Sequence, residues 1–277
     1  MSKARIDARF AALKAQGRAA FVPYVMAGDP DAATAAKILA GLPDAGADLI
    51  ELGFPFSDPM AEGPPIQRSA QRALAAGMTL AGVLDMARAF READQATPII
   101  LMGYMNLVFT RGVEAFARDA AAAGIDGLIV VDCPPEEAGP LADALDLADV
   151  SLIRLATPTS DEKRLKTIVR RTSGFVYYVS VAGVTGVKEA DEHAVAPNVA
   201  RVRAASGLPV AVGFGIRTPE RAAAIGRVAD AVVVGSALVD EIAEAVEMNE
   251  DVTERVLSKV RSLAKAVRSA RVGQTTV

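Results

Sequence analysis

Eight short apolar runs alternate along the chain with segments whose apolar residues recur at helical spacing. The runs lack the regular polar alternation of a half-exposed sheet, so they are typical of strands buried on both faces of a parallel sheet. We predict strands at 21–26, 49–52, 99–102, 128–131, 152–155, 175–179, 210–212 and 231–234.

Regular alternation of strand and helix over 277 residues favours a closed parallel barrel over an open, doubly wound sheet. We therefore predict an α/β fold: a single-domain (β/α)8 TIM barrel over residues 1–277, with its active site at the C-terminal ends of the strands. Ile6, Phe10 and Leu13 mark one face of an extra N-terminal helix.

Two local patterns predict how helices and strands are joined. The tripeptides 46–48, 124–126 and 228–230 each end in aspartate just before a strand, which indicates that one helix-to-strand turn is reused. Thr159 and Glu162 have the spacing of a capping box, which predicts that Thr159 caps the helix containing Leu165.

Composition excludes several classes of partner. A net charge of −4 with no basic tract argues against nucleic acid. One cysteine, Cys133, and one histidine, His193, argue against a disulfide or a metal site. The start of the chain is too polar for a signal peptide, and no apolar run approaches the roughly 20 residues of a membrane span. We expect a cytoplasmic protein without membrane contact.

Polar side chains at the predicted strand ends are the first candidates for chemistry. Glu51 lies at the end of the second strand, where burial would raise its pKa toward a value useful to an acid or base. Its alternative role is to bind loop amides. Glu62, in the following loop, could return over the same pocket or remain solvated. Asp132 and Tyr104 also follow strands, where they could orient substrate or bind loop backbone.

Glycines follow the last three predicted strands, at Gly183–Gly186, Gly213–Gly215 and Gly235. Glycine lets backbone amides approach an anion closely, and a short helix beginning near Ser236 would direct its N-terminus at that anion. Each glycine could instead serve a tight turn. Their order along the chain favours a phosphate site after strands seven and eight.

Several motifs resemble the tryptophan synthase alpha subunit family, in that family's order. The most specific is the Glu-Leu-Gly-Phe-Pro-Phe-Ser-Asp-Pro-Met-Ala-Glu-Gly-Pro-Pro-Ile-Gln stretch that begins at Glu51. The others lie at 21–30, 104–109, 132–134, 182–186, 213–216 and 235–236. The resemblance spans nearly the whole chain.

The resemblance implies retro-aldol cleavage of indole-3-glycerol phosphate to indole and D-glyceraldehyde 3-phosphate, with no cofactor in this subunit. Glu51 would protonate indole C3 and help to deprotonate the glycerol hydroxyl, while Glu62 would bind the indole N–H. Thr185 would close over the site and bond to Glu62. The substrate pocket would be lined by Tyr24, Tyr104, Tyr177 and Phe214, with phosphate held by Gly186, Gly215, Gly235 and Ser236; Asp132 and Gly213 are further candidates.

The resemblance also implies a partner, a pyridoxal-phosphate (PLP) beta subunit that receives indole through a tunnel. The assembly would be an alpha-beta-beta-alpha tetramer. The beta subunit would dock on the loops around Pro55, Asp58, Asn106 and Pro134, and docking would couple lid closure to catalysis.

Glu62 departs from the family pattern, which usually has aspartate at this position. We expect the loop backbone to retract by the length of one methylene and activity to survive. Three alternatives stay open: another phosphate-binding barrel lyase or isomerase of the same pathway, a weakly active subunit that mainly activates the beta subunit, and a stand-alone lyase that releases free indole.

Overall fold

Eight parallel strands form a closed barrel in which each strand pairs with its neighbours in chain order and β1 pairs with β8. The structure is a computed structural model, and it describes residues 3–180, 192–213 and 215–272. All eight predicted strands are confirmed. Their bounds are β1 Ala20–Met26, β2 Ile50–Gly53, β3 Ile99–Gly103, β4 Gly127–Val130, β5 Ser151–Ala156, β6 Val176–Val179, β7 Val210–Gly213 and β8 Ala231–Val234.

Twelve helices lie within the described ranges. They are α1 Lys3–Ala15, α2 Ala32–Gly41, α3 Pro64–Ala75, α4 Leu80–Ala93, α5 Met105–Arg111, α6 Val113–Ala122, α7 Gly139–Leu147, α8 Glu162–Val169, α9 Glu192–Ser206, α10 Pro219–Val228, α11 Ser236–Met248 and α12 Val252–Ser269. No single helix of the described chain is long and apolar enough to cross a membrane, although α3 and α4, bent by 94°, meet that criterion as a pair by length and composition.

The extra helices are more numerous than the sequence predicted. Besides the predicted N-terminal helix α1, the chain adds α3 after β2 and α5 after β3. Pro64 lies in the first turn of α3, where its fixed φ and missing N–H are tolerated. The predicted loop after β2 therefore passes directly into a helix.

The N-terminal end of the barrel is built from one repeated turn, as the tripeptides predicted. Asp48, Asp126 and Asp230 each accept a hydrogen bond from a backbone N–H of the preceding strand and donate their own N–H back to that strand. The carboxylates accept from Phe21 N at 2.9 Å, Ile99 N at 2.8 Å and Val210 N at 2.8 Å. Ser173 makes the same two bonds with Leu152, at 3.1 and 3.0 Å, so the turn occurs in all four odd–even strand pairs.

Each of the three aspartates at these turns also pairs with arginine. Arg18 binds Asp48 through both terminal nitrogens at 2.8 Å, and Arg203 binds Asp230 at 2.9 Å. Asp126 is fully buried and accepts from Arg91 at 2.6 Å and from Arg5 at 2.7 Å. The turns are therefore satisfied both as hydrogen-bond acceptors and as charges.

The predicted cap of α8 is wrong. The carboxylate of Asp161 accepts from Arg164 N at 2.7 Å and caps the helix, whereas the Thr159 hydroxyl bonds with that of Thr157. The helix begins two residues later than a Thr159 cap requires. Asp161 then stands at the position where a carboxylate reaches the free N–H groups of the first turn.

Candidate functional site

Glu51 lies in β2 at the C-terminal end of the barrel, and Tyr24 is its partner in β1. The side chain of Glu51 is only 2% exposed, and its Oε1 has no hydrogen-bond partner among the residues that the structure describes. Burial, and then the negative charge of Glu62, raise the pKa of Glu51 to about 8. With no cation beside it among the described residues, this buried carboxyl favours its protonated form at neutral pH.

Glu62 lies over the same pocket as Glu51, which is one of the two positions that the sequence predicted for it; the other was a solvated loop. It is 7% exposed, and burial raises its pKa to about 7. Burial, and then the charges of the two carboxylates, raise the pKa of Tyr24 on β1 and of Tyr177 on β6. Since β2 and β6 lie on opposite sides of the barrel, this shared effect places the two glutamates and the two phenols around one interior pocket.

The loop that carries Glu62 is held by its backbone. Gln67 Nε2 donates to the Glu62 carbonyl at 2.9 Å, and Ala61 N donates to the Tyr104 hydroxyl at 2.9 Å. The Tyr104 ring stacks on Phe56, with 5.1 Å between ring centroids. Tyr104 thus binds loop backbone, one of its two predicted roles. Sequence reasoning missed Gln67, whose signal was its position one turn into a helix that follows the loop.

Two glycines at strand ends make room for the buried tyrosines. A Cβ on Gly53 would lie 2.2 Å from the Tyr24 hydroxyl, and one on Gly213 would lie 2.0 Å from the Tyr177 hydroxyl. Any side chain at these positions would therefore displace a phenol from the pocket. Gly213 was predicted as a substrate-binding residue; its close approach to Tyr177 shows a packing role.

The glycines after β7 and β8 bring backbone to the same end of the barrel. Gly215 has φ +70°, which favours glycine, and Gly235 precedes α11. A Cβ on Gly235 would lie 3.4 Å from Tyr24 Cβ, so this turn lies beside the pocket. Helix α11 begins at Ser236 as predicted, but with 13 residues it is longer than the short helix expected there. Its N-cap makes no side-chain bond, which leaves first-turn amides available to an anion.

Three predicted site residues, Thr185, Gly186 and Phe214, lie outside the described residues. Asp132 is exposed, and its carboxylate accepts from Met105 N at 2.8 Å, so it holds the start of α5. This is the loop-binding role that the sequence left open. No group of three or more metal-ligating side chains occurs in the part of the chain that the structure describes.

The predicted partner-binding loops are exposed at three of four positions. Asp58, Asn106 and Pro134 are exposed, whereas Pro55 is buried within the chain and in this conformation offers no surface to a partner. Sequence reasoning missed two exposed apolar side chains, one on the loop after β2 and one on α5. Met60 is 83% exposed and Phe109 is 65% exposed.

Comparison with known proteins places these features in one family. A family model described as tryptophan synthase alpha chain matches residues 10–268. A tryptophan synthase alpha chain from Phenylobacterium zucineum (strain HLK1) is 80% identical over 271 residues, which cover 98% of each chain. The crystal structure of tryptophan synthase subunit alpha from Legionella pneumophila str. Paris is 40% identical, with a TM-score of 0.88 and coverage of 95% of this chain and 98% of that one.

A chain of tryptophan synthase from M. tuberculosis, solved in an open form, is also similar. It is 36% identical, with a TM-score of 0.85, and the match covers 95% of this chain and 98% of that chain. The likeness therefore extends over nearly the full length in both sequence and fold.

Proposed function

The chain belongs to the tryptophan synthase alpha chain family, and we propose from this premise that Glu51 and Glu62 are its catalytic pair. The family reaction is the cleavage of indole-3-glycerol phosphate, a carbon–carbon lyase step of tryptophan biosynthesis. Family membership favours this reaction over those of other phosphate-binding barrel enzymes. The single observation that carries the assignment of roles is that Glu51 is buried beside Glu62 and that no described residue places a cation next to it.

Glu51 supplies and recovers the proton. With a pKa of about 8 it is mainly protonated at neutral pH, so it can deliver a proton to C3 of the indole ring. Protonation makes C3 tetrahedral and the ring nitrogen iminium-like, which lets the ring accept the electrons of the breaking C–C bond. The Glu51 carboxylate then takes the proton of the glycerol hydroxyl as the aldehyde forms. The acid is thereby restored and the proton count balances.

Glu62 stabilises the charge that develops on the ring. Burial raises its pKa to about 7, so a substantial share of it is ionised at neutral pH. As a carboxylate it accepts a hydrogen bond from the indole N–H and offsets the positive charge on the iminium. The two glutamates thus divide the acid role and the electrostatic role between them.

The remaining substrate contacts come from the rim of the pocket. The buried rings of Tyr24 and Tyr177 line the indole and glycerol portion, with Tyr104 beside the loop of Glu62. The phosphate is held by Gly215, Gly235, Ser236 and the amides that begin α11. By family resemblance, Thr185, Gly186 and Phe214 complete the lid and the pocket.

The chain needs no cofactor of its own for this chemistry, and its partner is a PLP-dependent beta subunit in an alpha-beta-beta-alpha tetramer. Exposed Asp58, Asn106 and Pro134, together with exposed Met60 and Phe109, form a mixed polar and apolar surface for that partner. Indole released in the barrel passes to the beta subunit.

Indole release from indole-3-glycerol phosphate, measured with the purified chain alone and with added beta subunit, tests the proposal. We expect slow release by the chain alone and faster release with the partner, since docking completes lid closure. Absence of release under both conditions would contradict the proposed catalytic pair. Full-rate release without any response to the beta subunit would instead identify a stand-alone lyase.

A further inference from the structure

A cavity of about 430 Å³ lies outside the barrel, between the start of α7, helix α8 and strand β5. Its lining is strongly basic, with one acidic side chain, Glu136. The basic side chains are Arg154, Lys163, Lys166, Arg170 and Arg171. The proposed catalytic glutamates do not line this cavity, because it opens on the outer, helix-covered side of the barrel.

The charges of this cavity are only partly neutralised by the chain itself. Glu136 is engaged by Arg164, and Arg171 pairs with Asp143 and, at 3.5 Å, with Asp146. Within the described ranges, the other four basic side chains of the cavity make no salt bridge with an acidic group. Lys163, Lys166 and Arg170 are exposed and solvated, which is ordinary for a helix surface. Arg154 is different.

Arg154 is a buried cation with an unsatisfied donor. It lies in β5, is only 7% exposed, and its Nε is buried without a hydrogen-bond partner among the described residues. The same chain satisfies another buried arginine fully. Arg91, 6% exposed, donates to Asp126, to the Gly124 carbonyl and to the Thr97 carbonyl at 2.6 to 2.8 Å.

This contrast indicates a missing anion at Arg154. A buried charge that lacks both a counter-ion and hydrogen-bond acceptors is costly, and proteins nearly always pair it. At Arg91 the fold supplies the acceptors, since that side chain is part of the barrel frame. At Arg154 the fold supplies a cavity and three further cations instead.

We propose that this cavity binds a phosphate group, with the Arg154 guanidinium at its inner end and Lys166 and Arg170 at its mouth. A guanidinium fits two phosphate oxygens at once, and several cations around one site favour a multiply charged anion over a single carboxylate. The cavity is larger than inorganic phosphate, so a small phosphomonoester also fits. The site is separate from the anion site proposed at Gly235 and Ser236, which follows β8 rather than β5.

Titration of the ¹⁵N-labelled chain with inorganic phosphate tests the proposal directly. The side-chain Nε–Hε signal of Arg154, assigned by its loss in Arg154→Lys, reports on this cavity and not on the barrel site. We expect it to shift in a saturable way. An unmoved signal at about 20 mM phosphate, some twentyfold above a 1 mM dissociation constant, would overturn the proposal. A second titration with glycerol 3-phosphate, read on the same signal, shows whether the phosphomonoester binds more tightly than free phosphate.

A second variant keeps the test independent of the folding of the Arg154 variant. The double substitution Lys166→Gln/Arg170→Gln changes two exposed residues of the cavity, and we expect it to weaken phosphate binding at Arg154 on the order of tenfold. Lys37→Gln, on the exposed face of α2, removes a surface charge elsewhere and is the matched control. Equal affinity in the double variant and the control would also contradict the proposal. If the site at Gly235 and Ser236 did not bind phosphate, the Arg154 signal would still shift. The two proposals can therefore be refuted independently.

Discussion

Buried carboxylates lie at both ends of the barrel, and the two ends differ in what faces them. At the N-terminal end, Asp48 and Asp126 each meet a guanidinium and a strand amide. At the C-terminal end, Glu51 faces Glu62, and neither has an ion-pair partner among the described residues. The same chemical group is therefore paired with a cation at one end and has a strongly raised pKa at the other.

Asp29 shows that pairing, rather than position in the barrel, makes this difference. It follows β1 at the C-terminal end and is fully buried, yet Arg72 binds both of its oxygens at 2.6 and 2.7 Å. A cation thus pairs with one buried carboxylate at this end, whereas no described residue places a cation beside Glu51. Burial raises the pKa of Asp29 as it does that of Glu51, but hydrogen bonds from Arg72 and Ser69 oppose the shift at Asp29, whereas no described group opposes it at Glu51.

The largest effect should come from Glu51→Gln, which removes the proton donor but keeps the size of the side chain. We expect indole release to fall on the order of 10²- to 10⁴-fold, the usual contribution of general acid–base catalysis. Substrate binding should persist, because the phosphate contacts and the tyrosine walls are unchanged. Steady-state kinetics with indole-3-glycerol phosphate, together with binding measured by calorimetry, gives both quantities.

Glu114→Gln, an exposed substitution on α6, is the control for loss of one carboxylate. It should retain full activity. If Glu51→Gln retained activity as well, the unpaired carboxyl would not be the acid, and the contrast between the two ends would lose its functional meaning.

The converse variant, Asp126→Asn, should lower the free energy of unfolding without changing the catalytic reaction. Arg91 would be left buried without its carboxylate, a loss that typically costs about 3–5 kcal/mol. Urea denaturation followed by circular dichroism measures the free energy of unfolding. The rate per folded molecule should be unchanged.

Asp146→Asn provides the matched comparison, because Asp146 pairs with Lys3 while 59% exposed. Exposed pairs contribute about 0–1 kcal/mol, so this variant should be nearly as stable as the parent. If the two aspartate variants lost similar amounts of unfolding free energy, the burial of the Arg91–Asp126 pair would not explain its contribution to stability.

The pH dependence of the free energy of unfolding tests the raised pKa of Glu51 without an activity assay. The pKa of Glu51 rises from 4.5 to about 8 on folding, so the folded state prefers its protonated form. This contribution is fully present below about pH 4.5 and is lost as the pH rises toward 8, by up to about 1.4 kcal/mol per pH unit. The free energy of unfolding should therefore fall between pH 6 and 8 in the parent, and fall less steeply in Glu51→Gln. Identical slopes would contradict the raised pKa.

The frame of the barrel was predictable because its signals are local. Each strand is an apolar run, and all eight predicted strands overlap the observed ones to within one residue at each end. The aspartates before β2, β4 and β8 were recognisable as one turn because each lies one or two residues before an apolar run. Ser173 was missed, since a hydroxyl replaces the carboxylate there.

The site was less predictable because its residues act across strands. Nothing local distinguishes Gly213, which gives space to the Tyr177 hydroxyl on β6, from a glycine in a turn. Nothing local shows that Arg154 lacks acceptors while Arg91 has them. Such features depend on which side chains the closed barrel brings together, and only the three-dimensional arrangement specifies that.

The smallest effect should come from Glu62→Asp, which shortens the second carboxylate of the pocket by one methylene. A displacement of about 1 Å in a catalytic group can cost on the order of 10²-fold, but we expect a change below about tenfold here. The loop is held through the Ala61 N–H and the Glu62 carbonyl, contacts that do not depend on the side chain, so a small backbone shift can compensate for its length. Comparison of kcat/KM for the two proteins measures the effect. If the parent were inactive and Glu62→Asp restored activity, the longer side chain would be misplaced. The backbone contacts of the loop would then not compensate for the extra methylene.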